Sequence, residues 1–338
     1  MKLSDFDYYL PRKLIAQTPA SKRENSRLLI FKEDKIYHQT FNKCINYINE
    51  GDVLVINDTR VFPARLYGEK IPTGGKVELL LVEEINKGFW KCLAKPSRRL
   101  KPGNNIIFSN CLKARVTGRE NNGTRIISFT DPSYKEKIFE IGEIPLPPYI
   151  KTPLKEKERY QTIYSKEIGS IAAPTAGLHF TETLLENLQK KGVIIAKITL
   201  HVGLGTFRPV KTDEIELHKM EKEYMEITEE TIEKINNART RGGKIIAVGT
   251  TSVRTLETSS DERGILRAGN QKTNLFIYPG YKFKLVNGII TNFHLPKSTL
   301  FMLVCAFIGI ERVQALYQEA IRLKYRFYSF GDACLFFK

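Results

Sequence analysis

Between Leu66 and Ile150 the hydrophobic period of this chain drops to two, and on either side of that stretch it does not. Short alternating runs (KVELLLVEE, FWKCLAK, NNIIFS, LKARVTG, TRIISFT) are parted by Thr73-Gly74-Gly75, Asn86-Lys87-Gly88, Pro102-Gly103-Asn104 and Asn121-Asn122-Gly123. Alternation turns one face of each run toward a core, and Gly/Asn turns reverse the chain between runs. The stretch therefore predicts a small antiparallel barrel or sandwich. It closes on Pro145-Leu146-Pro147-Pro148, which holds the backbone extended, and a charged segment, 151–159, follows.

The flanking sequence reads as alternating strands and helices. Thr181 is placed to cap a helix with apolar Leu184, Leu185 and Leu188, ended by Gly192. Residues 193–200 form a buried strand. A second helix starts near Thr228, presents Ile232 and Ile235, and stops at Gly242-Gly243; residues 244–248 are the next strand and 251–258 a short helix. Asn287-Gly288 between KFKLV and IITNF predicts a two-residue hairpin turn. Ser298 caps an apolar helix running to Gly309, and residues 311–324 form a last helix. Such alternation implies a layered α/β domain with a largely parallel sheet. The expected organisation is a discontinuous α/β domain, 1–65 and 151–338, with a β-barrel domain inserted at 66–150.

Composition bounds the setting. At 42% hydrophobic and 27% charged residues, the 338-residue chain is that of a globular protein with a sizeable core. Met1 to Asp7 carries no apolar signal core, and the apolar stretch 300–310 is too short to span a bilayer. Five scattered cysteines, none at Cys-x-x-Cys spacing, give no zinc or redox signature and fit a reducing cytosol. The net charge of +16 attracts polyanions, although a lysine-rich surface that only aids solubility has the same charge.

Polar residues collect where apolar strands stop. VLVI runs into Asn57-Asp58-Thr59-Arg60, VIIAKITL into His201-Val202-Gly203-Leu204-Gly205-Thr206-Phe207, and KIIAV into Gly249-Thr250-Thr251-Ser252-Val253-Arg254. Ligands of α/β sheets bind beyond the carboxyl ends of strands, so three such ends imply one shared cleft, though an ordinary turn accounts for any single one. Ala172 to Phe180 supplies small residues before the Thr181 helix, whose free amides suit a carboxylate. Phosphate-loop, zinc-hydrolase and nucleophile-elbow motifs are missing. Lys95, Arg98, Arg99 and Lys101 form a compact basic cluster, and Arg326 sits among aromatics at 325–330. Either suits RNA, and either also reads as a solvated turn or a terminal core stretch.

Taken together, these strings resemble the S-adenosylmethionine:tRNA ribosyltransferase-isomerase family of queuosine biosynthesis. The resemblance runs through Asn57-Asp58-Thr59-Arg60-Val61, Pro63-Ala64-Arg65-Leu66, Leu146-Pro147-Pro148-Tyr149-Ile150 and Arg159-Tyr160-Gln161-Thr162. It continues through Ala172 to Thr181, Thr199 to Gly203, Gly205-Thr206-Phe207, Gly249-Thr250-Thr251, Thr291 to Pro296, Tyr325-Arg326-Phe327 and Gly331-Asp332. Two positions depart from it: Ser97 stands where the family has glycine, and Glu221 where it has a second histidine after His218.

The resemblance implies an α/β domain with an inserted barrel, and a transfer of the ribosyl carbons of S-adenosylmethionine. The acceptor is 7-aminomethyl-7-deazaguanine at the wobble position of a tRNA; adenine and methionine leave and epoxyqueuosine forms. S-adenosylmethionine is then a co-substrate, with no permanent cofactor and no metal, and the expected enzyme is a cytoplasmic monomer away from membranes. A base must take the proton beside the sulfonium, for which His179 or His201 is expected. Asp58 and Asp332 are expected as electrostatic partners of the sulfonium or ribose, and Arg60 or Arg254 as ligands of phosphate or the methionine carboxylate. Asn57, Thr175, Gly177, Gly203, Gly205, Thr206, Thr250, Asn292 and His294 complete the expected substrate contacts. Lys95, Arg98, Arg99, Lys101 and Arg326 are the expected tRNA contacts.

Overall fold

The computed structural model describes residues 1–338 except 121–122, 204 and 206–209. The chain forms two compact units, one of Met1–Arg60 with Pro147–Lys338, the other of Val61–Leu146.

The first unit opens with β1 (Arg27–Lys32) and β2 (Lys35–Thr40), an antiparallel pair. Glu33 and Asp34 join them, both at positive φ, the geometry a two-residue hairpin turn demands. β3 (Val53–Asn57) follows, and β4 (Thr59–Val61) leads out of this unit. In the second unit β5 (Arg65–Ile71), β6 (Gly75–Asn86), β7 (Phe89–Lys95), β8 (Asn105–Phe108), β9 (Lys113–Arg119) and β10 (Arg125–Phe129) close into a barrel. Each barrel run read from sequence lies on one of these strands. The barrel has a helix the sequence reading did not assign, α1 (Tyr134–Ile141), which buries Tyr134 and Ile138.

Back in the first unit come β11 (Glu167–Ser170), α2 (Glu182–Lys190), β12 (Ile194–Leu200), β13 (Glu223–Ile227), α3 (Glu229–Thr240) and β14 (Ile245–Val248). Then follow α4 (Gly249–Ser259), β15 (Gly269–Thr273), β16 (Gly288–Asn292), α5 (Thr299–Ile308), α6 (Ile310–Arg322) and β17 (Ala333–Phe337). Thr181, Thr228 and Ser298 each accept a first-turn amide with their side-chain oxygen, capping α2, α3 and α5. Among the described residues no single helix is long and apolar enough to cross a membrane.

The main sheet has the order β15-β13-β12-β3-β14-β16-β17-β1-β2. Its centre is parallel, but β13, β15, β2 and the β16–β17 pair are antiparallel, so the sheet is mixed rather than largely parallel. β3 is buried on both faces: Val53 and Val55 join one core cluster, Leu54 and Ile56 the other. The hairpin expected at Asn287-Gly288 is not formed. Gly288 instead starts β16, paired with Ile246 and Phe337, and an added Cβ would meet the Phe337 ring at 3.1 Å. Asn287 joins the start of β14 by accepting from the Ile245 amide through its side chain and donating to the Ile245 carbonyl. β12, β3, β14 and β16 run parallel as neighbours, so all four release their loops at one edge.

Candidate active site

A cleft enclosing about 710 Å³, solvent at its mouth included, lies at that edge. Its walls come from Ala172–Ala176, from Gly249–Thr251 at the start of α4, and from Thr291–Leu295 beyond β16. Val202 beyond β12, Ser298 and Leu300 at the start of α5, and Tyr149, Tyr160, Tyr328 and Ser329 complete it. The mix of apolar wall with a few convergent polar groups suits a small organic ligand. Gly249 has φ 84°, a conformation glycine adopts freely, and it turns the chain from β14 directly into α4. Among the described residues no side chain caps that helix, whose first turn, Gly249–Thr251, lines the cleft. The Thr251 hydroxyl is buried without a partner among the described residues, while the Tyr160 hydroxyl lies against the Ala173 backbone and Ser329.

Thr175 and Asn292 meet inside the cleft, the Thr175 hydroxyl donating to Asn292 Oδ1 at 3.0 Å. Asn292 Nδ2 donates to the Tyr328 carbonyl at 3.2 Å and faces His179 Nε2 at 3.1 Å. An amide nitrogen only donates, so His179 Nε2 accepts and Nδ1 carries the hydrogen toward Ser26 Oγ at 2.7 Å. Both ring nitrogens are engaged. Burial pushes the ring's pKa down to about 3, and the charges of Arg23 and Arg326 add to the shift.

His294 is also buried, with its pKa lowered to about 3 by desolvation, but it lines the cleft. Nε2 shares a 2.8 Å bond with the Thr291 hydroxyl, while Nδ1 makes no hydrogen bond among the described residues. His201 stands elsewhere on the same edge. Its Nδ1 is 2.8 Å from the Thr59 hydroxyl, its ring stacks on Tyr224 at 5.2 Å, and burial lowers its pKa. It is not part of the cleft wall.

Residues 3–336, which include every segment of this cleft, match a family described as queuosine biosynthesis protein. The chain belongs to that family. Among similar members are the S-adenosylmethionine:tRNA ribosyltransferase-isomerases of Acetivibrio thermocellus, 54% identical over 98% of this chain and 99% of that one, and of Desulforamulus reducens, 51% identical over 99% of both. A similar solved structure is S-adenosylmethionine tRNA ribosyltransferase from Thermotoga maritima. It is 40% identical with a TM-score of 0.57, over 98% of this chain and 100% of that one.

Several residues that carry the resemblance to the queuosine family hold the edge together instead of facing the cleft. Asn57 bonds both the amide and the carbonyl of Leu200 at 3.0 Å, tying the end of β3 to β12. Asp58 accepts from the Thr199 hydroxyl at 2.7 Å, and burial raises its pKa. Asp332 accepts the amides of Arg27 and Arg326 at 2.8 Å each, and burial raises its pKa too. Neither carboxylate lines the cleft. Arg254, expected on an anion, is buried in an ion pair with Glu223, whose other oxygen accepts the Gly203 amide at 2.8 Å. Arg60 pairs with Glu158 at 2.6 Å and Ser165 at 3.0 Å. A Cβ on Gly177 would meet the Tyr164 hydroxyl at 2.1 Å, so this glycine serves close packing. The start of α2 is no anion site either: Thr181 caps it and donates to the Glu24 carboxylate at 2.9 Å.

Thr206 lies outside the described residues. A Cβ on Gly205 would lie 3.0 Å from Cβ of Glu221. In the barrel unit, Lys95, Arg98, Arg99 and Lys101 are all solvent-exposed. Buried Arg125 holds their loop from beneath, donating to the carbonyls of Ser97, Leu100 and Gly123. Arg326 donates to the Thr18 carbonyl in the first unit. The sequence reading gave no role to Tyr149, Tyr160, Tyr328 or Ser329. Their signal was present in the Pro147-Pro148-Tyr149 and Tyr328-Ser329 strings, but a linker and a terminal core stretch read the same way.

Proposed function

We propose that this chain transfers and isomerises the ribosyl unit of S-adenosylmethionine onto 7-aminomethyl-7-deazaguanine in the wobble position of tRNA. Epoxyqueuosine-tRNA is the product, and adenine and methionine are released. The observation that carries the reading is the convergence of Ala172–Ala176, Gly249–Thr251 and Thr291–Leu295 on one cleft at the carboxyl edge of four parallel strands.

The uncapped start of α4 receives the methionine carboxylate, since free amides and the positive helix end favour an anion; the unpartnered Thr251 hydroxyl adds a donor. The rings of Tyr149, Tyr160 and Tyr328 face a sulfonium, which aromatic faces attract. Thr175 and Asn292 orient the ribose. His294 takes the proton beside the sulfonium through Nδ1, in place of His179, which instead fixes the rotamer of Asn292. An imidazole with a pKa near 3 is a weak base, so the step depends on the acidity that the sulfonium gives the adjacent carbon. His201 with Asp58 supports the neighbouring edge, and Asp332 the turn before β17. Lys95, Arg98, Arg99, Lys101 and Arg326 contact tRNA, with residues 66–150 acting as an inserted RNA-facing domain. The enzyme works as a cytoplasmic monomer.

The test uses tRNA bearing the aminomethyl base and S-adenosylmethionine labelled separately in adenine and ribose. Ribose label on tRNA with equimolar free adenine is expected. Release of S-adenosylhomocysteine would mark a methyltransferase, and binding without turnover a non-catalytic RNA-binding protein; either outcome rejects the reading.

A further inference from the structure

Arg23 and Arg159 cross-staple two segments of the first unit. Arg23 donates to the carbonyls of Glu158 and Gln161 at 2.9 Å and of Leu178 at 3.1 Å; Arg159 donates back to the carbonyls of Ser21, at 3.1 Å, and Ala20. Both side chains are half-buried, and among the described residues neither has a carboxylate in ion-pair contact. The nearby Glu158 carboxylate turns away to Arg60. Two like charges in partial burial repel each other, and an anion joining them would relieve that cost. Burial and the neighbouring Arg159 charge hold Arg23 below its ordinary pKa, with Tyr164 and Glu158 opposing. Each guanidinium has five donors and spends at most three on carbonyls. The pair borders a narrow pocket lined also by Ser26, His179 and Ser329, and Ser329 is shared with the cleft.

We propose that Arg23 and Arg159 form a phosphodiester site that grips the RNA backbone beside the target nucleotide. This rests on the tRNA reading above. A guanidinium hydrogen not spent on a carbonyl donates to a phosphate oxygen as a charge-assisted bond, and Ser329, which lines both this pocket and the cleft, brings that phosphate near a base in the cleft.

The test measures binding and turnover of an anticodon hairpin carrying the aminomethyl base. In Arg159→Gln the slope of log affinity against log salt is expected to fall by about 0.7, the value for one neutralised phosphate on a single strand. The RNA KM is expected to rise about tenfold, as for removal of a charge-assisted bond. The KM for S-adenosylmethionine and kcat at saturating RNA stay as in wild type. Because Arg159 also staples the fold, a second arm uses the wild-type protein with hairpins neutralised one phosphate at a time by methylphosphonate. One position should weaken binding severalfold and weaken it no further in the Arg159→Gln background. An unchanged slope and RNA KM in a folded variant, or no such position, overturns the site. So does a demonstration that inorganic phosphate binds the pair as tightly as the hairpin. If the wild type binds no hairpin at all, the parent tRNA reading fails instead.

Discussion

Asn292 Nδ2 lies 3.1 Å from His179 Nε2, so a histidine behind the cleft wall fixes the amide that faces into it. The hydrogen Asn292 gives to His179 leaves its oxygen free to accept from Thr175. A ring with both nitrogens engaged is a positioning group.

His179→Ala should therefore lower stability by about 1–3 kcal/mol, the cost of stranding buried polar groups, here at Ser26 and Asn292. The KM for S-adenosylmethionine should rise as Asn292 loses its rotamer, while the pH–rate profile keeps its wild-type shape. His294→Ala should instead remove turnover with little effect on that KM. Kinetics across pH 5–9 together with thermal melts check both.

Burial of two neutral imidazoles makes the fold acid-sensitive. The folded values near 3 for His179 and His294 lie below the ordinary 6.5, so the unfolded chain takes up protons first as pH falls. Their stabilisation is complete above pH 6.5 and is lost toward pH 3. Each should cost about 2 kcal/mol at pH 5, at about 1.4 kcal/mol per unit. Denaturant melts of wild type and His179→Gln at pH 7 and pH 5 should differ in slope by about one proton's worth.

The Arg254–Glu223 pair is fully inside the protein. Arg254→Met should destabilise by about 3–5 kcal/mol by removing the counter-charge of a buried carboxylate, and adding Glu223→Gln should restore more than half of that. The Gly203 amide that Glu223 holds would still weaken, raising the KM for S-adenosylmethionine. A double-mutant cycle by chemical denaturation measures the coupling.

On the barrel, the double variant Arg98→Ala/Arg99→Ala should weaken tRNA binding and lower its salt slope by about 0.7 for each single-strand phosphate that is no longer neutralised. Its melting temperature should not change, since both side chains are exposed. Arg125→Leu should unfold the loop by releasing three carbonyls, weakening binding to the same extent with a lower melting temperature.

What could be read in advance was local. Thr181, Thr228 and Ser298 announced helices because a cap acts within one turn of its own backbone. The alternating runs announced the barrel because a pleat has a strict period of two. β1, β2 and β17 escaped notice: β2 is exposed along its whole length, and β17 is apolar at every position, so neither alternates. The hairpin at Asn287-Gly288 was misread because a turn-forming pair also suits a strand start where Phe337 leaves no room for a side chain. The strand ends that build the cleft could be located, but not which polar groups turn inward. Asp58, Asp332 and Arg254 carry the charge a site needs, and each is paired within the fold by a residue distant in the chain or by backbone amides.

A crystal structure of the protein soaked with S-adenosylmethionine tests the central claim most directly. The account predicts the methionine carboxylate on the amides of Gly249–Thr251, the ribose against Thr175 and Asn292, and His294 Nδ1 within hydrogen-bond reach of the carbon beside sulfur. Density for the molecule outside this cleft, or a carboxylate bound away from α4, would contradict it.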